Sequence, residues 1–188
     1  EGQLLEAWTA GDWSGLHEKD RAILDRCREV LDTVVPAGGS EYDRELAVHD
    51  WMVEWASYDS NTLSLLPDFR EDPDNGNPYG LLVNGRGICS GYTSTFQLFM
   101  DLLGIECITV EGTAYGGSEA HAWNQVRLDG EWYCVDVTWD DPVASFPVPD
   151  WMAHSYFNVT GDYMRRTDHQ WDESAVPEAT GTAYAWRR

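Results

Sequence analysis

The chain has 188 residues, of which 43% are hydrophobic, and carries a formal net charge of −21. That size and composition suit one globular domain whose core needs neither disulfides nor metals. The charge repels phosphate backbones and anionic headgroups, which argues against nucleic acid and membrane surfaces as partners and leaves room for basic peptides or amines; the same acidity would also serve simply to keep the domain in solution.

Residues 1–18 hold Trp8 and Trp13 among Gly, Ser and Thr without a sustained period, and read as an N-terminal arm folded back on the domain. Neither a basic region nor an apolar leader opens the chain, and Glu1 looks like an internal cut in a longer protein. From Asp20, the apolar positions Ile23, Cys27, Val30, Leu31 and Val34 recur at helical spacing until Pro36, Gly38 and Gly39 stop them. Ser40 then reads as an N-cap with Asp43 at the third helical position, and Tyr42, Leu46, His49 and Met52 line a second helix that ends near Trp55. Residues 60–78, rich in Asn, Asp, Pro and Gly, predict a long surface loop able to overhang a cleft.

A third helix is predicted from Cys89 to Leu103, with Cys89, Tyr92, Phe96, Phe99, Met100 and Leu103 on one stripe and Gly104 as its stop. The period then changes to two. Strands are expected over 105–112, 121–128 and 131–138, the last two joined by Asp129-Gly130 as a two-residue hairpin turn. The fold class is therefore α+β, helices packed on an antiparallel sheet. Residues 139–155 read as loop, 156–159 as a further strand, and 160–188 as a poorly patterned C-terminal extension to a core of about 40–160 within a single domain. No apolar run is long enough to span a bilayer.

The four cysteines, Cys27, Cys89, Cys107 and Cys134, include no CxxC pair, and no histidine stands at the spacing of a structural zinc site. No metal or other cofactor is expected, and a Cys107–Cys134 bridge stays open. Cysteines in helical or strand patterns, as at 27 and 107, usually act as small buried hydrophobes. Cys89 differs, because it begins a helix. A free thiol with a pKa of about 8.5 is mostly protonated at neutral pH, and helix N-terminal amides with a neighbouring imidazolium favour the thiolate. Gly87 and Gly91 would let a substrate backbone approach it.

The hairpin supplies the partners. Pairing Leu128 with Glu131 places Trp123 opposite Asp136 and His121 opposite Thr138, so that His121 and Asp136 share a face as diagonal neighbours, about 7–8 Å apart at the backbone. An imidazole and a carboxylate close that gap to a hydrogen bond. The expected roles are Cys89 as nucleophile, His121 as proton carrier and Asp136 as its orienting carboxylate. The oxyanion would sit near the Cys89 N–H; Tyr79 is a weak second donor and more naturally a packing tyrosine. His49, His154 and His169 are expected to fill core and loop positions. The many aromatics would line a groove or pack the core.

Tyr79-Gly80, the run 85–92, His121-Ala122-Trp123-Asn124 and Trp132-Tyr133-Cys134-Val135-Asp136-Val137-Thr138-Trp139 together resemble the core of bacterial transglutaminase-like domains, and residues 156–159 with Asp168-His169 and Trp171 look like the tail of such proteins. The resemblance implies a papain-like, transglutaminase-like fold. It also implies a protein or peptide substrate, with either peptide hydrolysis or amine exchange at glutamine. A place outside the cell or at its surface, as part of a longer bacterial protein, is the expectation, and the cytoplasm stays open. Some relatives of this kind need calcium, but Asp140-Asp141-Pro142 lacks the spacing of a calcium loop and reads as a solvated turn. The alternative is a module that presents an aromatic groove to peptides or glycans while the triad stays idle.

Overall fold

The computed structural model describes residues 2–60 and 71–187. Its elements, in order, are α1 (Gly2–Ala10), α2 (Glu18–Val34), α3 (Glu41–Trp55), β1 (Ser57–Tyr58), a π-helical turn (Gly80–Asn84), β2 (Arg86–Gly87), α4 (Cys89–Leu103), β3 (Cys107–Ala114), β4 (Glu119–Leu128), β5 (Glu131–Val135), α5 (Val137–Asp140), α6 (Asp150–Ala153), α7 (Gly161–Arg166), β6 (His169–Trp171) and a 3-10 turn (Glu173–Ala175). The architecture is α+β, with a four-stranded antiparallel sheet in the order β5-β4-β3-β6 and a separate parallel pair, β1-β2.

Local chemistry fixes the ends of these elements. At α3 the Asp43 N–H donates to Ser40 Oγ (3.1 Å) and the Ser40 N–H donates back to Asp43 Oδ2 (3.0 Å), a reciprocal cap. At the hairpin Leu128 pairs with Glu131, and the turn between them takes positive φ at Asp129 (48°) and Gly130 (82°), the conformation that two-residue turns require.

The sheet is covered on both faces. Tyr92, Phe96, Phe99 and Met100 of α4 pack with Val126, Leu128 and Tyr133 in the larger core, and the Thr93 hydroxyl donates to the Ala122 carbonyl (3.1 Å) to tie the helix to β4. Val110, Trp123 and Cys134 face the other way, under Met164 and Ala179 of the C-terminal segment. This parity decides the bridge left open by sequence. All four cysteines are free: Cys107 lies opposite Val126 and shares its face, whereas Cys134 lies opposite Gln125 and points to the other.

Several expectations need correction. The stretch read as an arm contains a helix, α1, whose Leu4 and Ala7 are buried against the main core, so packing overrides its weak pattern. The third strand stops at Val135 instead of Thr138, because the Asp136 side chain caps the turn of α5. Residues 156–159 make only an isolated bridge, Cys134 to Val159, and the loop at 139–155 contains the short α6. The unpatterned tail supplies α7 and the edge strand β6. Of the loop predicted over 60–78, residues 61–70 lie outside the described residues.

The tail docks where the sheet has no side chain. A Cβ at Gly112 would stand 2.1 Å from the Gln170 carbonyl oxygen, so β6 can lie against β3 only because position 112 is glycine.

Glu45 on α3 is fully buried, and Asn158 Nδ2 donates to its Oε2 at 2.9 Å. Burial, only partly offset by the Asn158 bond and the His49 charge, pushes its carboxyl up to about 8, from 4.5. The folded chain thus keeps a proton that the unfolded chain releases. The resulting stability is fully present below pH 4.5 and is lost as pH rises through about 8. Glu45→Gln, which keeps an acceptor for Asn158, is expected to flatten this dependence and to melt higher than the parent at pH 8.5. Thermal melts at pH 5 and 8.5 check it; parallel shifts at both values would contradict it.

Candidate active site

Three elements converge on one point. Cys89 is the first residue of α4, His121 lies on β4, and Asp136 caps α5 immediately after β5, its Oδ1 accepting the Trp139 N–H at 3.1 Å. A helix leaves its first four N–H groups without intrahelical acceptors, and the Cys89 amide is one of them. The approach to this turn is made by the chain itself. Ile88 N–H donates to the Asn75 carbonyl (2.9 Å), and a Cβ at Gly91 would lie 2.4 Å from that oxygen. Gly87 and Gly91 therefore make room for the Asn75 turn, not for a substrate backbone as their position suggested.

The structure brings all three expected residues together. His121 Nε2 lies 2.7 Å from Asp136 Oδ2, and the ring and the Cys89 side chain line the same cleft. Asp136 meets the ring not as a diagonal neighbour on the ladder but as a helix cap one residue past the end of β5. Burial alone would lower the imidazole pKa, but the bond to Asp136 and its negative charge, with a smaller contribution from the neighbouring Cys89, outweigh it and raise it to about 9.

A fourth residue joins them. His169 on β6 is buried, its Nε2 stands 2.8 Å from the same Asp136 Oδ2, and its Nδ1 donates to the Thr167 carbonyl at 3.0 Å. Sequence reasoning assigned it a loop hydrogen bond; the Asp168-His169 pair within the family-like tail was the signal that could have found it. Burial would push the Asp136 carboxyl up, yet the bonds from His121 and His169 and their positive charges hold it below the ordinary carboxylate range. Both rings and the carboxylate offer ligand atoms within 4.8 Å of one another, which is also the spacing of a metal site, but all three residues are buried.

Cys89 and His121 open on a cleft of about 620 Å³ lined also by Tyr58, Tyr115, Glu119, Trp139, Asp141 and Val143. The Trp139 ring packs on His169 at 4.3 Å and on His121 at 5.5 Å, so one indole of the cleft wall contacts both imidazoles. Tyr58 keeps its proton, since burial and the charges of Cys89 and Glu119 push the phenol up. Tyr79 lies outside the cleft lining, packed on the main core with Lys19 Nζ 4.7 Å from its ring centre. Asp140 and Asp141 do not form a solvated turn. Asp140 is fully buried on His49 Nε2 (2.8 Å), and Asp141 accepts the Tyr92 hydroxyl at 2.5 Å.

Desolvation pushes the Cys134 thiol up to about 12 and those of buried Cys27 and partly buried Cys107 well above their ordinary value, which keeps all three poor nucleophiles. Iodoacetamide at pH 7 is accordingly expected to label one site, Cys89, in the folded protein and all four after unfolding. Peptide mapping checks this, and label on Cys107 at a comparable rate would contradict it.

The model of the transglutaminase-like superfamily matches residues 28–137. Kyphoscoliosis peptidase of Mus musculus and its Homo sapiens counterpart are each 27% identical to the chain over 121 residues. That region is 59% of this chain and 18% of each relative, so the chain spans under a fifth of those proteins. A crystal structure of a TGase has a TM-score of 0.52 at 15% identity, with 73% of this chain and 37% of that one covered, a likeness of fold.

Proposed function

Because the chain belongs to the transglutaminase-like superfamily, we propose that it is a thiol-dependent acyl-transfer enzyme that opens amide bonds of protein or peptide substrates through a Cys89 thioester. The observation that carries this reading is the His121 ring, bonded to Asp136 Oδ2 at 2.7 Å, opening with Cys89 on one cleft. In the first half-reaction the thiol proton already rests on His121, the sulfur attacks the acyl carbon, and the imidazolium gives that proton to the departing amine or ammonia. The Cys89 N–H faces the developing oxyanion from the helix start, and the protonated Tyr58 hydroxyl is a second donor in the same cleft. In the second half-reaction His121 deprotonates water or an amine, which attacks the thioester and releases the sulfur. Asp136 stabilises the imidazolium in both halves, and His169 fixes the carboxylate that does so. Glu119 on the cleft wall and the net charge of −21 favour neutral or cationic substrate segments.

Hydrolysis and transfer diverge only at the thioester. A denatured protein substrate is incubated with and without a fluorescent primary amine, with Cys89→Ala as the blank, while new N-termini, released ammonia and bound fluorophore are measured. New N-termini identify a peptidase, and fluorophore incorporation identifies a transferase. None of the three above the blank, together with Cys89 alkylation indifferent to His121→Ala, would sink the enzymatic reading in favour of a binding module.

A further inference from the structure

Behind the catalytic residues, on the far side of Asp140, a second group of side chains meets. His49 and Asp50 are consecutive on α3, and His154 follows α6. Asp50 Oδ1 lies 2.9 Å from His49 Nδ1 and 2.7 Å from His154 Nε2, and the three residues offer ligand atoms within 4.8 Å of one another. The outer nitrogen of each ring already has an acceptor. His49 Nε2 faces the buried Asp140 carboxylate at 2.8 Å, and His154 Nδ1 donates to the Asp150 carbonyl at 2.6 Å. A proton fixed on the outer nitrogen leaves a neutral imidazole with its lone pair on the inner one. Metal-bound histidines are held in this way, by a carboxylate or carbonyl on the nitrogen that does not bind the metal.

Charge favours the same arrangement. If both inner nitrogens met Asp50 as hydrogen-bond donors, two imidazolium rings would stand 5.2 Å apart, one of them fully buried, sharing one Asp50 oxygen, with the Asp140 carboxylate only on the outer side of His49. One divalent cation in place of those two protons leaves the total charge unchanged and gives each inner nitrogen a bond. The His154 ring is also held in plane, stacked on Trp186 at 4.3 Å and 3°. Asp50 is half exposed, which gives a cation a way in and leaves a position for water.

We propose that His49 Nδ1, Asp50 Oδ1 and His154 Nε2 form a binding site for a zinc-like divalent cation, completed by water. Two imidazoles and one carboxylate suit zinc better than calcium or magnesium, which prefer all-oxygen shells. The ion would clamp α3 to the segment after α6, directly behind Asp140 and so behind the turn that Asp136 caps.

The test uses the whole chain, stripped with a chelator, dialysed and titrated with ZnCl2 by calorimetry and with CoCl2 by visible absorption. One equivalent of each metal is expected to bind, with four-coordinate cobalt bands and a higher melting temperature in zinc. Asp50→Asn and His154→Gln are expected to weaken zinc at least about tenfold, whereas Cys89→Ser binds as the parent does. Circular dichroism checks that each variant is folded; Asp50→Asn, at a half-exposed side chain, carries the test if His154→Gln does not fold. The proposal is overturned if the folded parent gives neither heat nor cobalt bands, if every folded ligand variant binds undiminished, or if binding disappears in Cys89→Ser, which would place the ion at the thiol instead.

Discussion

Cys89→Ala is expected to lower kcat for acyl transfer by at least about 10⁴-fold while leaving the circular dichroism spectrum unchanged. In the proposed mechanism sulfur is the atom that bonds to the substrate, so no neighbouring group replaces it. The side chain is small, only partly buried and outside the hydrophobic cores, so stability should move by no more than about 1 kcal/mol. His121→Ala is expected to give a comparable loss, and the double variant to be no worse than either single one, because the two residues act as a unit. Stepwise, additive losses would mean that thiol and imidazole do not share a proton transfer. Initial rates with an activated ester and an amide, measured for all three variants, separate these outcomes.

The second large effect is at Asp136, where one carboxylate serves three donors. Oδ2 meets both His121 and His169, Oδ1 takes the Trp139 N–H, and the side chain is 1% exposed. Asparagine keeps the shape but offers one oxygen and one NH2, so either the cap on α5 or the pair of imidazoles loses its acceptor. Asp136→Asn is expected to cost about 10⁴-fold in kcat and about 3–5 kcal/mol of stability. His121 should titrate well below about 9, since the carboxylate is the larger of the two influences that raise it. Ring proton shifts followed by NMR against pH give that readout, and urea melts give the stability. His169→Gln, whose amide can still donate to Oδ2, is expected to lower kcat by only about 10–100-fold with KM unchanged. A titration of His121 near pH 9 in Asp136→Asn would remove Asp136 from its assigned role.

Much of this arrangement was legible in the order of residues. The hairpin could be read because Asp129-Gly130 is a turn with a known length, and turn length fixes register; the Leu128–Glu131 pair follows directly. Cys89 at a helix start could be read because Gly104 and the apolar stripe bound α4 on its far side. What escaped was set by tertiary contact. His169 sits on a strand of three residues, too short to carry a period, and meets Asp136 across 33 positions of chain. Asp140 belongs to an Asp-Asp-Pro run that looks like a solvated turn, and only the return of α3 beneath it, with His49, explains its burial. Gly87 and Gly91 announced a close approach without saying by what, and the approaching group is the backbone of Asn75.

The absence of a side chain at Gly112 bears on where the working unit ends. Recognition by family pattern stops at residue 137, yet the seam at Gly112 fastens a ribbon that arrives more than thirty residues later and brings the last partner of Asp136 with it. A fragment trimmed to the recognisable pattern would keep the thiol, the imidazole and the carboxylate in order, but it would leave that carboxylate open to water on the side His169 now occupies. Any minimal version of this protein must therefore reach through Trp171.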